Sequence, residues 1–369
     1  MTKTKRKVGV HCALLLTSLM AGVSLEATAA RARDFLLAAT RPARLHLVDL
    51  EKREVVKSID IATEPGSGPL AVVGSPDGKR AYVTVDRWES VSGIDLDSGK
   101  EVFRANLSTL AERVKNTFAL EISRDGKELF VFEAPVRLGL SEYQVQDTRI
   151  AVYDTSSGQK AQPVRTFKAP RQIAMLMMSP DGEHLYGVGR DIYDFNPKTG
   201  EIVKTIKVQN RTRTDIGAPD TLAIWPQYEQ ANVFANPYVV EDKSTGVLRS
   251  GQMVFDLATQ SLTYGEFEEF KDILFSSVIN PKKRNESFTV YTTLSKIDTS
   301  GPETKLVKRV DLPHTYYTVN ISGDGKELYV GGTQGDIAVY SSTDLKQLGD
   351  IKLPGAGDQQ LASVRIIQR

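Results

Sequence analysis

The chain has 369 residues, 40% of them hydrophobic, which is enough apolar material for a substantial core. Its 47 basic and 46 acidic side chains leave a formal net charge of +1, and that balance excludes the basic surface that nucleic acid or an anionic membrane requires. A lone cysteine, Cys12, excludes a disulfide framework and every C-x-x-C metal or haem motif.

Residues 1–30 read as a cleavable export signal. Lys3, Lys5, Arg6 and Lys7 form a basic leader, Cys12 to Leu25 are mostly apolar, and Ala27-Thr28-Ala29 supplies a small-x-small cleavage pattern. A buried N-terminal strand or a membrane anchor is the alternative, but the stretch falls short of the ~18 apolar residues of a span. No small-residue lipobox precedes Cys12. The expected destination is the periplasm. Cleavage takes away the only thiol together with four basic residues and one acidic residue, turning +1 into −2.

Residues 31–369 read as one domain built from a repeated phrase. Near-verbatim copies stand at Ser75-Pro76-Asp77-Gly78-Lys79, Ser123-Arg124-Asp125-Gly126-Lys127, Ser179-Pro180-Asp181-Gly182-Glu183 and Ser322-Gly323-Asp324-Gly325-Lys326. Their aspartates are 48, 56 and 143 residues apart, so the last gap has room for two degenerate copies. Each copy lies between short β-branched runs, as a tight hairpin turn should. One unit shows the pattern: Leu70 to Val73, the turn, Ala81 to Val85, Val91 to Asp95, a second turn at Asp97 to Lys100, then Glu101 to Leu107. That is a four-stranded antiparallel meander, one propeller blade.

The third-to-fourth strand turns give an independent census. They fall within Leu45–Val56, Ile94–Val102, Val152–Val164, Tyr193–Val203, Val254–Leu262, Leu294–Val307 and Val339–Leu348. Seven units result. In the two whose Asp-Gly turn has decayed, Leu222 to Trp225 and Leu274 to Ile279 take the place of the innermost strand. Phe35 to Ala39 has second-strand character, and Ser363 to Ile367 has the character of a first strand. The expected fold is an all-β, seven-bladed β-propeller of four-stranded antiparallel blades, its ring closed by pairing of the N- and C-terminal strands.

Beyond the leader the only histidines are His46, His184 and His314, in three different blades and without ligand spacing, so no metal site is expected. His46 reads as an ordinary strand residue and His184 as a solvated one. Neither a G-x-S-x-G elbow nor a Gly-rich phosphate loop occurs. The acidic run Glu266-Phe267-Glu268-Glu269 reads as a solvated edge, and Lys282-Lys283-Arg284 as a charged hairpin tip.

Two segments interrupt the blade pattern. The first, Asn210 to Gln230, contains Asp220 and Trp225-Pro226. A loop of this length lies on a propeller face, where partners dock. Trp225 is either an apolar anchor for a partner or a filler of the wedge between blades. The second, Asp311 to Tyr317, carries His314, Tyr316 and Tyr317 towards one rim of the channel. These could orient an amine, a water or a neighbouring subunit's carboxylate. A packed, hydrogen-bonded corner is the alternative and is favoured for Tyr317.

On particular residues the chain resembles the β subunit of quinohemoprotein amine dehydrogenases. The matching segments are Leu45-His46-Leu47-Val48-Asp49-Leu50, Gly93-Ile94-Asp95-Leu96-Asp97, Pro163-Val164-Arg165-Thr166-Phe167 and Pro170-Arg171-Gln172. They continue through Ala218-Pro219-Asp220, Trp225-Pro226, His314-Thr315-Tyr316-Tyr317, Gly331-Gly332-Thr333 and Ile351-Lys352-Leu353-Pro354-Gly355. The Ser-Pro-Asp-Gly phrase is common to many bacterial propellers, and the longer non-blade matches are the specific part.

The resemblance implies a cofactor-free propeller in a periplasmic heterotrimer that deaminates primary amines oxidatively to aldehyde and ammonia. It implies a small γ subunit carrying cysteine tryptophylquinone and a dihaem c-type cytochrome α subunit that passes electrons to a periplasmic acceptor. No catalytic, cofactor-binding or metal residue carries over to this chain. Its contact candidates are His314, Tyr316, Tyr317, Trp225, Pro226 and Asp220. The rival readings are a stand-alone exported binding propeller, the large subunit of a methylamine-dehydrogenase-like complex, and a lactonase-like hydrolase. The last needs acidic or His groups clustered around the channel, and the sequence shows no clear set.

Overall fold

The repeated phrase folds identically in its four copies. In each, the serine hydroxyl donates to the aspartate two residues on, at 2.5 Å for Ser75, 2.6 Å for Ser123, 2.5 Å for Ser179 and 2.7 Å for Ser322. The same carboxylate accepts the N–H of Lys79, Lys127, Glu183 or Lys326, and the serine oxygen accepts the N–H one residue later. The glycine takes a positive φ of 66° to 75°, a region costly for any residue with a Cβ. In blade six Asn280 is the substitute, its side-chain oxygen accepting the N–H of Lys282 and Lys283.

The structure is a computed structural model describing residues 1–2, 33–209, 213–301, 303–359 and 364–369. The export signal lies outside the described residues. Residues 33–369 form one compact unit. Blade one comprises Asp34–Thr40, Arg44–Asp49 and Glu54–Asp60, with Val364–Gln368 as its innermost strand. Antiparallel pairing of Phe35 with Ile367 and of Leu37 with Arg365 closes the ring, as expected from the two termini. Blade two runs from Val72–Gly74 to Glu101–Asn106, blade three from Leu120–Ile122 to Pro163–Lys168, and blade four from Met175–Met178 to Ile202–Ile206. Blades five, six and seven open with Asp220–Thr221, Ser276–Asn280 and Tyr316–Ile321 and end with Leu262–Glu269, Lys305–Asp311 and Gln347–Lys352. The seven-bladed propeller is therefore observed. Among the described residues no helix is long and apolar enough to cross a membrane.

The core is not one mass but a series of wedges, each shared by two consecutive blades. Leu37, Leu47 and Val83 join blades one and two, Tyr82, Phe103 and Leu129 join two and three, and Phe130 and Phe195 join three and four. Tyr186 and Phe255 join four and five, Phe288 and Leu328 join six and seven, and Leu36 and Tyr329 close seven onto one. The alternation of the strands produces this, since successive side chains enter opposite wedges.

His46 sits within blade one, fully buried between the hydroxyls of Thr40 (3.2 Å) and Ser58 (2.9 Å). Burial and the nearby Arg44 push its pKa down to about 4. His184, read as solvated, is half-buried and shares its Nδ1 with Asp194 at 2.9 Å. The acidic run also departs from its reading. Glu266 and Glu268 are largely buried because Arg213 and Arg309 pair with them, and Tyr238 donates to Glu266 at 2.6 Å.

Two outcomes follow. Hydrogen bonds from Ser123 and the Lys127 N–H hold Asp125 below the usual carboxylate range, so its contribution is present above that range and disappears as pH falls through it. Asp125→Ala should cost about 1 kcal/mol at pH 7, discounted for exposure, and almost nothing near pH 2, as read by urea unfolding. For His46 the unfolded chain binds the proton first, so stability falls as pH drops from about 6.5 towards 4. That loss is on the order of 2 kcal/mol, and His46→Gln should abolish it.

Candidate functional site

The antiparallel meander gives the ring two unlike ends. First-to-second and third-to-fourth turns share one end, which we term the turn end. Second-to-third turns and blade-to-blade connections share the other, the loop end. The repeated Ser-x-Asp-Gly turns all lie at the turn end. The irregular features collect at the loop end.

Blade five departs most from the pattern. Its innermost strand is only Asp220–Thr221, so Leu222 to Trp225 do not form the strand expected of them. Pro226 lacks an N–H and ends sheet pairing there. The chain instead runs as an irregular segment into the centre of the ring. Gln227 Nε2 donates to the Val364 carbonyl at 3.3 Å, and the Tyr228 hydroxyl donates to Glu121 at 2.6 Å. Arg365 forms an ion pair with Glu229 and lies 3.8 Å from Glu121. These residues belong to blades one, three and five. No two of those blades are neighbours in the ring, so their side chains can meet only on the axis.

The axial cluster is nearly dry. Glu121, Tyr228 and Arg365 are buried, and burial pushes the Glu121 carboxyl up despite Arg365 and the Tyr228 hydroxyl. A hollow of about 280 Å³ lies against the cluster, lined also by Ser75, Arg124 and Gln230. Acidic groups thus do gather at the channel, contrary to the sequence reading, but arginine neutralises them. Among the described residues no group of three or more His, Cys, Asp or Glu side chains could hold a metal ion. A usable signal was present: Glu121 and Arg365 are opposite charges embedded in otherwise apolar inner strands, Leu120–Ile122 and Val364–Gln368.

The contact candidates divide into three places. Trp225 is 1% exposed, its indole stacked on Phe275 at 5.0 Å and 22°, so it fills space and is no exposed anchor. Pro226 is buried beside it. Phe275 also meets Tyr291 at 4.2 Å and Tyr317 at 6.1 Å, so half-buried Tyr317 joins the same aromatic group. His314 and Tyr316 form a second place. Their rings are 4.0 Å apart, and Asp336 takes the Tyr316 hydroxyl at 3.0 Å and approaches His314 Nε2 at 3.1 Å. Tyr316 is fully buried, and burial together with Asp336 pushes its hydroxyl far above the usual range. The packed corner thus holds Tyr316, whereas Tyr317 faces the aromatic group, the reverse of the sequence reading; alternation along the strand separates them. Asp220, exposed, lines a cleft of about 530 Å³ with Gln172, Arg190, Gln209 and Leu222.

A further loop-end feature was not foreseen. The second strand of blade three, Glu128–Leu138, overruns its blade. Its outer half pairs with Glu112–Lys115 on one side and Tyr143–Val145 on the other, raising a small three-stranded flap. Tyr143 (75%) and Val145 (65%) are exposed on it, with Leu110 and Leu140 at its tips. Pro135 within the overrun conceals a strand from sequence reading.

No protein-family model matches the chain, and no curated protein sequence matches it. Solved structures do. A functionally unknown protein from Desulfotomaculum acetoxidans DSM 771 aligns with a TM-score of 0.59 and 11% identity over 91% of this chain and 99% of that one. Kuenenia stuttgartiensis hydrazine synthase aligns at 0.52 and 16% over 78% and 86%. The dihydro-heme d1 dehydrogenase NirN aligns at 0.50 and 17% over 87% and 73%. At such identities the similarity establishes the propeller fold and nothing finer.

Removal of Arg365 tests the axial cluster. Arg365→Met leaves Glu121 buried without its counter-charge and should cost about 3–5 kcal/mol in thermal or urea unfolding. Adding Glu121→Gln to the same chain should recover a large part of that loss.

Proposed function

We propose that this chain is the cofactor-free propeller subunit of an exported amine dehydrogenase complex, docking through its loop end. The observation that carries the reading is a convergence. Two segments on which the resemblance rests, around Trp225 and His314 to Tyr317, meet in one aromatic group through Phe275. The flap supports it further, because exposed aromatic and aliphatic side chains concentrated at one end suit a subunit contact.

On this reading the small γ subunit carries the cysteine tryptophylquinone, which supplies the oxidation of the primary amine. The α subunit carries two c-type haems and passes electrons to a periplasmic acceptor. The propeller binds no cofactor. Its rigid loop end walls the substrate cavity and excludes water, which strengthens electrostatic interactions in the partner's site. Docking also stabilises the small subunit by linkage.

The decisive experiment isolates the tagged chain from its native periplasm and records a visible spectrum and amine-dependent dye reduction. A c-haem spectrum, a small quinone-staining chain and activity with a primary amine are expected. Recovery of a colourless, inactive single chain would favour a stand-alone binding propeller, and quinone without haem would favour a methylamine-dehydrogenase-like complex. Tyr143→Ser with Val145→Ser should leave the propeller folded while weakening recovery of the haem subunit about tenfold or more.

A further inference from the structure

Blade two holds the most strained backbone among the described residues. Asp86, Arg87 and Trp88 are consecutive, none is glycine, and their φ values are 52°, 54° and 75°. Single residues of this kind cost on the order of 1 kcal/mol or more and persist only where their surroundings over-determine them. Here they do. The Asp86 carboxylate accepts from Thr63 Oγ1 at 3.0 Å and from the Glu64 N–H at 2.7 Å, and pairs with Arg104. The Asp86 N–H donates to Thr63 Oγ1 at 3.0 Å, and the Arg87 N–H to Ser67 Oγ at 2.8 Å.

The strained turn brings cations and an indole to one hollow. Its volume is about 180 Å³, and Arg41, Ser67, Gly68, Arg87, Trp88 and Lys115 line it. No carboxylate is among the lining residues. Arg41 makes no ion pair among the described residues, and its stem lies flat against Gly68, where an added Cβ would sit 3.0 Å from Arg41 Cγ. Arg87 reaches an acidic partner only at 4.0 Å, in Glu64. Lys115 donates to the Arg87 carbonyl at 2.7 Å, pairs with Glu89 at 3.2 Å, and lies 5.7 Å from the Trp88 ring centre. Trp88 is 38% exposed, so one side of its ring is open to a ligand.

We infer that this hollow binds a small free carboxylate bearing one planar ring. Two guanidinium groups offer the forked donors that match a carboxylate, and the indole offers a flat face for the ring. The size agrees, since a cavity of about 150 Å³ holds a benzene-sized ring. The inference does not depend on the subunit reading, because every residue it uses belongs to this chain and lies away from the axial and aromatic groups.

The chain has two tryptophans, Trp88 and Trp225, and only Trp88 is exposed, so its fluorescence reports directly. Phenylacetate and benzoate should quench the emission saturably with a Kd of roughly 1 mM or tighter. The response should survive in Trp225→Phe and vanish in Trp88→Phe. Arg41→Gln and Arg87→Gln should each weaken binding about tenfold, and acetate or benzyl alcohol should bind at least tenfold more weakly than phenylacetate. Isothermal titration of the Trp88→Phe chain separates a lost reporter from lost binding. An absent response, an unchanged Kd in both arginine variants, or equal binding of acetate would each overturn the proposal.

Discussion

Ring closure is the constraint on which the rest depends. A propeller has two free sheet edges until its last strand finds its first blade, and each edge carries a row of unpaired backbone groups. Here Val364–Gln368 pairs with Asp34–Thr40 and makes the ring continuous. The same closing strand carries Arg365, whose guanidinium meets Glu229 and Glu121 on the axis. The pairing that closes the perimeter therefore also places the charge that ties three non-adjacent blades across the centre. Closure and axial packing are one event, because Arg365 reaches the axis only in the register that pairs Leu37 with Arg365.

The division of labour between the two ends follows from the local chemistry of the turns. A Ser-x-Asp-Gly turn satisfies its own donors and acceptors within six residues, and so presents little unfinished hydrogen bonding to a partner. Loop-end connections have no such shared solution. Each is solved separately, by the His314–Asp336–Tyr316 corner, by the strained turn at Asp86 to Trp88, or by the flap of blade three. Selection for partners can act on these connections without disturbing blade geometry, which the repeated turns hold fixed.

How much of this could be read from the sequence depended on the range of the interaction involved. The turns, the blade count and the closing strand were legible because each rests on short-range alternation and on residues such as Gly78 and Gly126 that the backbone itself demands. Trp225 was ambiguous because its partner, Phe275, belongs to the next blade. Glu266 and Glu268 looked solvated because the arginines that pair with them come from other segments, Arg213 and Arg309. The axial cluster was hardest, since it joins blades three apart or more in chain order. Even so, a lone charge inside an apolar strand marked both Glu121 and Arg365.

One wedge of the ring differs in kind from the others. Between blades five and six the buried apolar contribution shrinks to Val233, Ala235 and Ile279. Polar side chains take the remaining space: Asn236, Gln252, Ser277, Ser287 and Thr289 are all buried. Ser287 donates to Gln252 at 2.6 Å, yet Gln252 Nε2 and Ser277 Oγ have no partner among the described residues. Such a seam gains less from water exclusion than its neighbours and carries orphaned donors besides. Blade five, on one side of it, is also the blade that gave up most of its innermost strand. The segment released by that loss is the one that stacks Trp225 on Phe275 of blade six and sends Tyr228 and Glu229 to the axis. The missing strand and the weak seam therefore belong together: what blade five lacks in sheet and wedge contact, its irregular segment supplies through the centre of the ring.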